Sequence, residues 1–78
     1  ILMEVVAFVP LTLRVKPADV VVWVNKDLFP HTATARNREF DSGVIAPGKT
    51  WKYTAKKPGE FSYVCTLHPT MTGTLVVK

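Results

Sequence analysis

The chain has 78 residues, of which 47% are hydrophobic and 21% are charged, a composition typical of a folded globular protein rather than a disordered one. We expect one domain, residues 1–78, that buries roughly 60–65% of the surface exposed by the unfolded chain. The ten basic residues are scattered, so the net charge of +4 indicates an acidic protein partner rather than a nucleic acid. No apolar run approaches the ~20 residues of a membrane span.

The single cysteine, Cys65, excludes an internal disulfide, so cysteine usage gives no sign of an oxidising compartment. The chain begins at Ile1 with neither Met nor a basic-then-apolar leader. We therefore expect a processed or trimmed form, or a piece of a longer protein, whose signal segment is absent.

The first fifteen residues are predicted to form strands that are interrupted at Pro10. Ile1–Val6 is strand-like, and in Leu11–Val15 the apolar residues alternate with polar ones. A turn follows at Pro17–Asp19. A left-handed conformation would cost Ala18 on the order of 1 kcal/mol, so a type I turn is predicted there.

The segment from Val20 to Asn25 is the most strand-like in the chain. Alternation predicts that Val21 and Trp23 point to the core. Three further valines, Val20, Val22 and Val24, then share the opposite face. Either a second sheet or a neighbouring chain covers them, by self-association for example, or the surface is unusually apolar.

The rest of the chain is predicted to form loops, turns and short strands. The Lys26–Pro30 loop delivers His31, residues 51–55 form a half-exposed strand, Phe61–Cys65 alternates with its aromatic residues on one face, and Gly73–Lys78 is the last strand. No window of ten residues has helical periodicity. About seven short strands separated by turn signals predict an all-β fold, a Greek-key β-sandwich.

The residues Cys65-Thr66-Leu67-His68-Pro69-Thr70-Met71 carry the chemistry. A lone Cys usually behaves as a small hydrophobe, but here a thiolate, an imidazole and a thioether follow at Cys-x2-His-x2-Met spacing. The known site that combines them has two His and one Cys in a trigonal plane with a long axial Met around copper. The only other histidine is His31. The predicted metal ligands are therefore His31, Cys65, His68 and Met71.

This stretch resembles the ligand loop of the cupredoxins, and its short spacing is similar to that of the amicyanin group. The resemblance extends upstream to four further segments: Trp23-Val24-Asn25, Phe29-Pro30-His31-Thr32, Phe40-Asp41-Ser42-Gly43 and Pro58-Gly59. It implies a cupredoxin-like fold and a periplasmic or otherwise extracytoplasmic electron carrier with one type 1 copper ion. In that reading Cys65 and both histidines are equatorial ligands and Met71 is axial.

The resemblance also implies an electron exit at the edge of His68, where a redox partner would dock. Apolar residues ring this position: Phe29, Pro30, Pro47, Leu67 and Pro69. The chain departs from the family at Thr32, where related proteins carry an Asn that helps fix the ligand loop. The exchange of this Asn for Thr bears on the rigidity of the loop and on the reduction potential.

Catalysis and metal storage are the alternatives to electron transfer. Copper enzymes that contain such a site need further histidines, one of them beside the ligand Cys, whereas Val64 and Thr66 flank Cys65. We therefore expect no enzyme activity from this chain. It could still be the electron-transfer domain of a larger copper oxidoreductase, or a copper storage or delivery protein. Zinc also binds one Cys with two His, but Met71 would then have no purpose.

Overall fold

The computed structural model describes all 78 residues, and its regular structure is entirely β. Eight strands follow one another along the chain: β1 (Leu2–Glu4), β2 (Ala7–Val9), β3 (Thr12–Val15), β4 (Val20–Asn25), β5 (Thr34–Ala35), β6 (Thr50–Thr54), β7 (Gly59–Cys65) and β8 (His68–Val77). No helix in the structure is long and apolar enough to cross a membrane.

The strands form two four-stranded sheets with the orders β2-β1-β4-β6 and β3-β8-β7-β5. Both sheets are mixed, because β1 lies parallel to β4 and β3 lies parallel to β8. One apolar cluster fills the space between them, and its largest fully buried side chains include Trp23, Tyr63 and Leu75. The predicted all-β sandwich is confirmed, with eight strands instead of about seven.

Strand β4 confirms the predicted alternation but not the covering of its second face. Val21 and Trp23 are buried in the core, as expected. Val20 is 57% exposed, and Val22 and Val24 are half-buried. These three valines lie on the outer face of their sheet, so the second sheet does not cover them. Self-association through this face stays a prediction.

The first nine residues form a hairpin, and the prediction of one strand over Ile1–Val6 is wrong. Strands β1 and β2 pair with Glu4 opposite Ala7, which leaves Val5 and Val6 as a two-residue turn. Their φ angles are 52° and 53°, as in a type I′ turn, which favours Asn-Gly. Each β-branched residue in this left-handed region costs roughly 1–2 kcal/mol.

The turn before β4 also differs from the prediction. Ala18 has a φ of 80°, so the type I turn predicted there is wrong. Its N–H donates to Ala55 O at 2.7 Å, and the Ala55 N–H donates to Asp19 O at 2.9 Å. These two bonds to a distant segment hold the turn, and they outweigh the local preference of Ala18 for a negative φ.

The β7–β8 hairpin determines where the site lies. Cys65 pairs with His68, but the preceding residue, Val64, pairs with Thr72. The three residues Pro69, Thr70 and Met71 therefore have no partners on β7 and bulge out of the ladder. The final strand begins at His68, earlier than the predicted Gly73. The irregularity places His68 and the bulge beside the end of β7.

Candidate metal centre

Three predicted ligands meet at one end of the sandwich. Cys65 is the last residue of β7, and His68 is the first residue of β8. His31 comes from the loop after β4, where its backbone exchanges two hydrogen bonds with Ile45, at 3.1 and 2.7 Å. The ligand atoms of His31, Cys65 and His68 all lie within 4.8 Å of one another.

The spacing of these atoms fits a small metal ion. Cys65 Sγ lies 3.5 Å from His31 Nδ1 and 3.9 Å from His68 Nδ1. A metal ion binds a nitrogen at about 2.0 Å and a thiolate sulfur at about 2.3 Å. With about 120° between the two bonds, the nitrogen and the sulfur are about 3.7 Å apart. Cys65 and His31 are fully buried, whereas His68 is half-buried. The donor set therefore suits copper that is shielded on all sides except at His68.

Met71 lies in the bulge at the start of β8 and is buried. A buried methionine is equally expected of a metal ligand and of a residue that fills the core. Its role as the fourth ligand therefore remains a prediction.

Thr32 fastens the ligand loop in place of an asparagine. Its N–H donates to Cys65 Sγ at 3.3 Å, and its Oγ1 accepts the Thr66 N–H at 2.9 Å. The hydroxyl groups of Thr32 and Thr66 are also 3.1 Å apart. The Thr32 hydroxyl therefore joins the His31 segment to the residue after Cys65 and fixes the ligand loop without an asparagine.

The network continues away from the metal ligands. Thr34 donates from its hydroxyl to Asp41 Oδ1 at 3.0 Å, and its Oγ1 lies 3.2 Å from that of Thr32. Hydrogen bonds from the Gly43 N–H and then from Thr34 lower the pKa of Asp41. A charged acceptor therefore orders the row of threonines behind Cys65.

Asn25 holds the two loops on the other side of the site. Its side-chain amide is buried and donates to Phe29 O at 2.9 Å and to Ile45 O at 2.8 Å. Its Oδ1 accepts the Asp27 N–H at 2.9 Å. One side chain therefore fixes the loop that delivers His31 and the segment that pairs with it.

Asp27 is a site residue that sequence reasoning missed. One of its carboxylate oxygens, Oδ2, lies 2.9 Å from His31 Nε2. Hydrogen bonds from His31 first, and then from the Val6 N–H, lower the pKa of Asp27. Outside a helix a four-residue separation carries no geometric meaning. The one available signal was that Asp27 is the only acidic residue between β4 and His31.

An exposed aromatic ring lies beside His68. The rings of Phe29 and His68 are 6.2 Å apart between centroids, and Phe29 is 52% exposed. Leu28, Val44 and Leu67 are exposed as well, although each is a large hydrophobic residue. In the chain Leu67 directly precedes His68 and Leu28 directly precedes Phe29, so exposed apolar residues adjoin both rings.

A two-sheet β-sandwich with a buried cysteine and two histidines gathered at one end defines a type 1 copper protein of the cupredoxin class. The chain matches the family described as copper binding proteins, plastocyanin/azurin family, over residues 3–78, and it belongs to that family. Copper binding and electron transfer are the properties of this class, and the cluster accommodates one copper ion.

Individual relatives agree with this assignment. Amicyanin from Paracoccus denitrificans is 32% identical over 76 residues, which cover 85% of this chain and 54% of that protein. The chain spans little more than half the length of the curated amicyanins it matches. A Cu(I) form of an amicyanin mutant is similar in structure, with a TM-score of 0.91, 26% identity and coverage of 99% of this chain and 78% of that chain.

A larger protein contains a similar unit. The copper-containing nitrite reductase of Thermus scotoductus is similar with a TM-score of 0.85 and 28% identity. The match covers 92% of this chain but only 20% of that chain. The same fold therefore also occurs as one part of a longer copper protein.

Proposed function

We propose that residues 1–78 act as one cupredoxin domain that carries single electrons at a copper ion cycling between Cu(II) and Cu(I). The observation that carries the proposal is the position of Cys65 Sγ, 3.5 Å from His31 Nδ1 and 3.9 Å from His68 Nδ1. In this proposal Cys65, His31 and His68 would hold the copper ion, with Met71 as a fourth, weaker donor that tunes its potential. The sandwich keeps these side chains in one arrangement for both oxidation states.

The absorption spectrum of the copper-loaded protein tests the proposal directly. We expect an intense blue colour from the copper–thiolate bond, which Cys65→Ser abolishes. Ser62→Ala is the matched control, because Ser62 lies on the exposed side of the same strand. A colourless copper-loaded protein, or a blue Cys65→Ser variant, would contradict the proposal.

The role of Met71 needs a separate experiment. A thioether favours Cu(I), so Met71→Gln, which offers a harder oxygen donor, should lower the reduction potential. Met3 is the other methionine and is also fully buried, so Met3→Leu is a control that should leave the potential unchanged. Equal potentials in the wild type and Met71→Gln would show that Met71 only fills the core.

Electrons are proposed to enter and leave through His68, with the redox partner seated on the apolar surface around it. His68 is half-buried whereas His31 is fully buried, so only His68 offers an edge to a partner. Phe29→Ser should slow electron exchange and leave the absorption spectrum unchanged. Val20→Ser is the control, since Val20 is also exposed but begins β4, whose other end, Asn25, lies beside the site.

The partner is proposed to be acidic, because the chain has a net charge of +4. Two exposed lysines lie next to Asn25, near the site. Lys26 follows Asn25 in the chain, and the backbone oxygen of Lys49 accepts the Asn25 N–H at 3.0 Å. Lys49→Gln should lower the association rate and weaken its dependence on salt. Lys16 follows β3 at the end of the sandwich opposite the ligands, so Lys16→Gln should lower the association rate less. A rate that rises with salt would exclude an acidic partner.

Two alternatives remain distinct from a free electron carrier. A role as the electron-transfer domain of a larger copper oxidoreductase is favoured by the nitrite reductase match and by the partial coverage of the relatives. The chain has no histidine beyond His31 and His68, so we propose that it is not itself an enzyme. Copper storage or delivery fits less well, because full burial of Cys65 and His31 opposes rapid release of the metal.

The site of action is proposed to be the periplasm or another extracytoplasmic compartment. The proposal extends the resemblance to the cupredoxins, which the match over residues 3–78 supports. Fractionation of cells that express the complete gene would test it, and recovery of the protein in the cytosol would contradict it.

A further inference from the structure

The carboxylate of Asp27 joins the ligand His31 to the strained turn of the first hairpin. Its Oδ2 atom lies 2.9 Å from His31 Nε2 and accepts the Val6 N–H, also at 2.9 Å. Its Oδ1 accepts the Leu28 N–H at 2.8 Å. We propose that Asp27 is a positioning residue, which holds His31 ready for the metal and couples it to the Val5–Val6 turn. The inference rests on the proposed function of the site.

The contact selects one form of the His31 ring. An ionised carboxylate accepts hydrogen bonds and donates none, so Nε2 must carry the proton that points to Asp27. The neutral ring then has a lone pair on Nδ1, the atom that faces Cys65 Sγ at 3.5 Å. His31 is fully buried, and water therefore does not compete for either nitrogen. In this neutral form the nitrogen that faces Cys65 is the one available to a metal ion.

The same contact bears on the oxidation state. A carboxylate that accepts the outer N–H of a ligating histidine makes the ring a stronger donor. The added negative charge stabilises Cu(II) more than Cu(I), because Cu(II) carries the larger charge. Asp27 should therefore raise the affinity for Cu(II) and lower the reduction potential.

The Asp27 carboxylate also stabilises the Val5–Val6 turn. Both residues have positive φ angles, which valine resists. Such strained turns persist where surrounding contacts hold them. The Val6 N–H and His31 Nε2 both bond to Asp27 Oδ2, so loss of Asp27 removes a hydrogen bond from the turn and from the ligand together.

The first test compares metal binding in Asp27→Ala, Asp27→Asn and Asp19→Ala. Asp19 is a matched control, since its carboxylate also accepts a turn N–H, that of Lys16 at 2.9 Å, but at the opposite end of the sandwich. We expect Asp27→Ala to lose 10–100-fold in Cu(II) affinity and Asp27→Asn to lose less. Each tenfold loss confined to Cu(II) raises the potential by about 59 mV. Asp19→Ala should change neither quantity.

The second test uses the copper-free protein, so its result does not depend on redox activity. Nitrogen NMR should show His31 protonated at Nε2 in the wild type and Asp19→Ala, and a mixture of ring forms in Asp27→Ala. The Val6 amide proton should exchange at least tenfold faster in Asp27→Ala. The double substitution Val5→Asn with Val6→Gly suits the turn, so removal of Asp27 should accelerate exchange at position 6 less in that background.

The outcomes separate this inference from the proposed function. A wild type that fails to turn blue with copper would overturn the function and the inference together. A folded, blue Asp27→Ala variant with unchanged potential and unchanged His31 protonation would overturn the positioning role alone. If Asp27→Ala does not fold, Asp27→Asn provides the same readouts, and wild-type values in that variant would count equally against the role.

Discussion

The copper end and the opposite end of the sandwich are held together in different ways. At the copper end, three buried or nearly buried side chains bond to the loops: Asn25, Asp27 and Thr32. At the opposite end, roughly 20 Å away along β7, the turn around Ala18 relies on backbone bonds to Ala55 and on the exposed Asp19. Side-chain bonding is thus concentrated where the position of a ligand atom matters.

The difference has a physical reason. Electron transfer is fast when the ligands move little between oxidation states, so their loops must be fixed by more than their own backbone. Buried polar side chains do this only when they are hydrogen-bonded, because an unpaired polar group is costly to bury. A turn with no ligand needs only to reverse the chain.

The largest expected effect comes from Asn25. Asn25→Ala leaves the Phe29 carbonyl and the Asp27 N–H without their partner and removes one of the two donors to Ile45 O, at a cost of about 3 kcal/mol in unfolding free energy. Denaturant unfolding measures the loss. Asn37→Ala is the control, because Asn37 is exposed and accepts a single N–H, that of Glu39. Equal losses in both variants would contradict the special role of the copper end.

The core between the two ends should make the stability of the protein depend on pH in the alkaline range, independently of either end. Burial raises the pKa of Tyr63 to about 12, with the nearby Trp23 N–H opposing part of the shift. The folded state therefore keeps the phenol proton more tightly than the unfolded chain. Stability is full below about pH 10 and falls by up to roughly 2–3 kcal/mol as the pH rises through 12. Tyr63→Phe should flatten most of this dependence in denaturant unfolding.

The Thr32 hydroxyl can be removed without changing the shape of the side chain. Thr32→Val leaves the Thr66 N–H unpaired, and we expect a loss of about 2 kcal/mol together with a shifted reduction potential. Thr32→Ser keeps the hydroxyl and should retain the wild-type potential. A Thr32→Val variant with the wild-type potential and stability would show that the ligand loop is fixed by other contacts.

The opposite end should respond to a change of backbone preference alone. Ala18 has a φ of 80°, which glycine adopts freely, so Ala18→Gly should stabilise the protein by about 1 kcal/mol. Thermal unfolding measures the gain, and the absorption spectrum and potential should stay as in the wild type. A potential that shifts in Ala18→Gly would show that the two ends are not independent.

The smallest effect on folding is expected on the outer face of β4. Val22→Thr exchanges a half-buried valine for a polar residue of the same shape, and its effect on stability should stay within about 0.5 kcal/mol. If the three valines mediate self-association, the variant should weaken it in sedimentation at high concentration. The same association state in the wild type and the variant would contradict this prediction.

The sequence alone determined the class of fold and the chemistry of the site. Alternation in β4 and β7 identifies the core residues Trp23 and Tyr63, because side chains on a strand alternate between two faces. The spacing from Cys65 to Met71, with one further histidine in the chain, predicts the donors, because few ions accept a thiolate, imidazoles and a thioether together, and the structure brings Cys65 and both histidines together. Both are local properties of the chain or follow from its inventory of residues.

Only the tertiary structure decided how those donors are held. Asp27 meets Val6 across 21 positions, and Thr32 meets Thr66 across 34, so neither contact has a local pattern in the sequence. The positive φ angles of Val5, Val6 and Ala18 oppose local preference and persist through bonds to distant segments. Propensity describes what a segment prefers by itself, whereas these features depend on which segments the two sheets bring together.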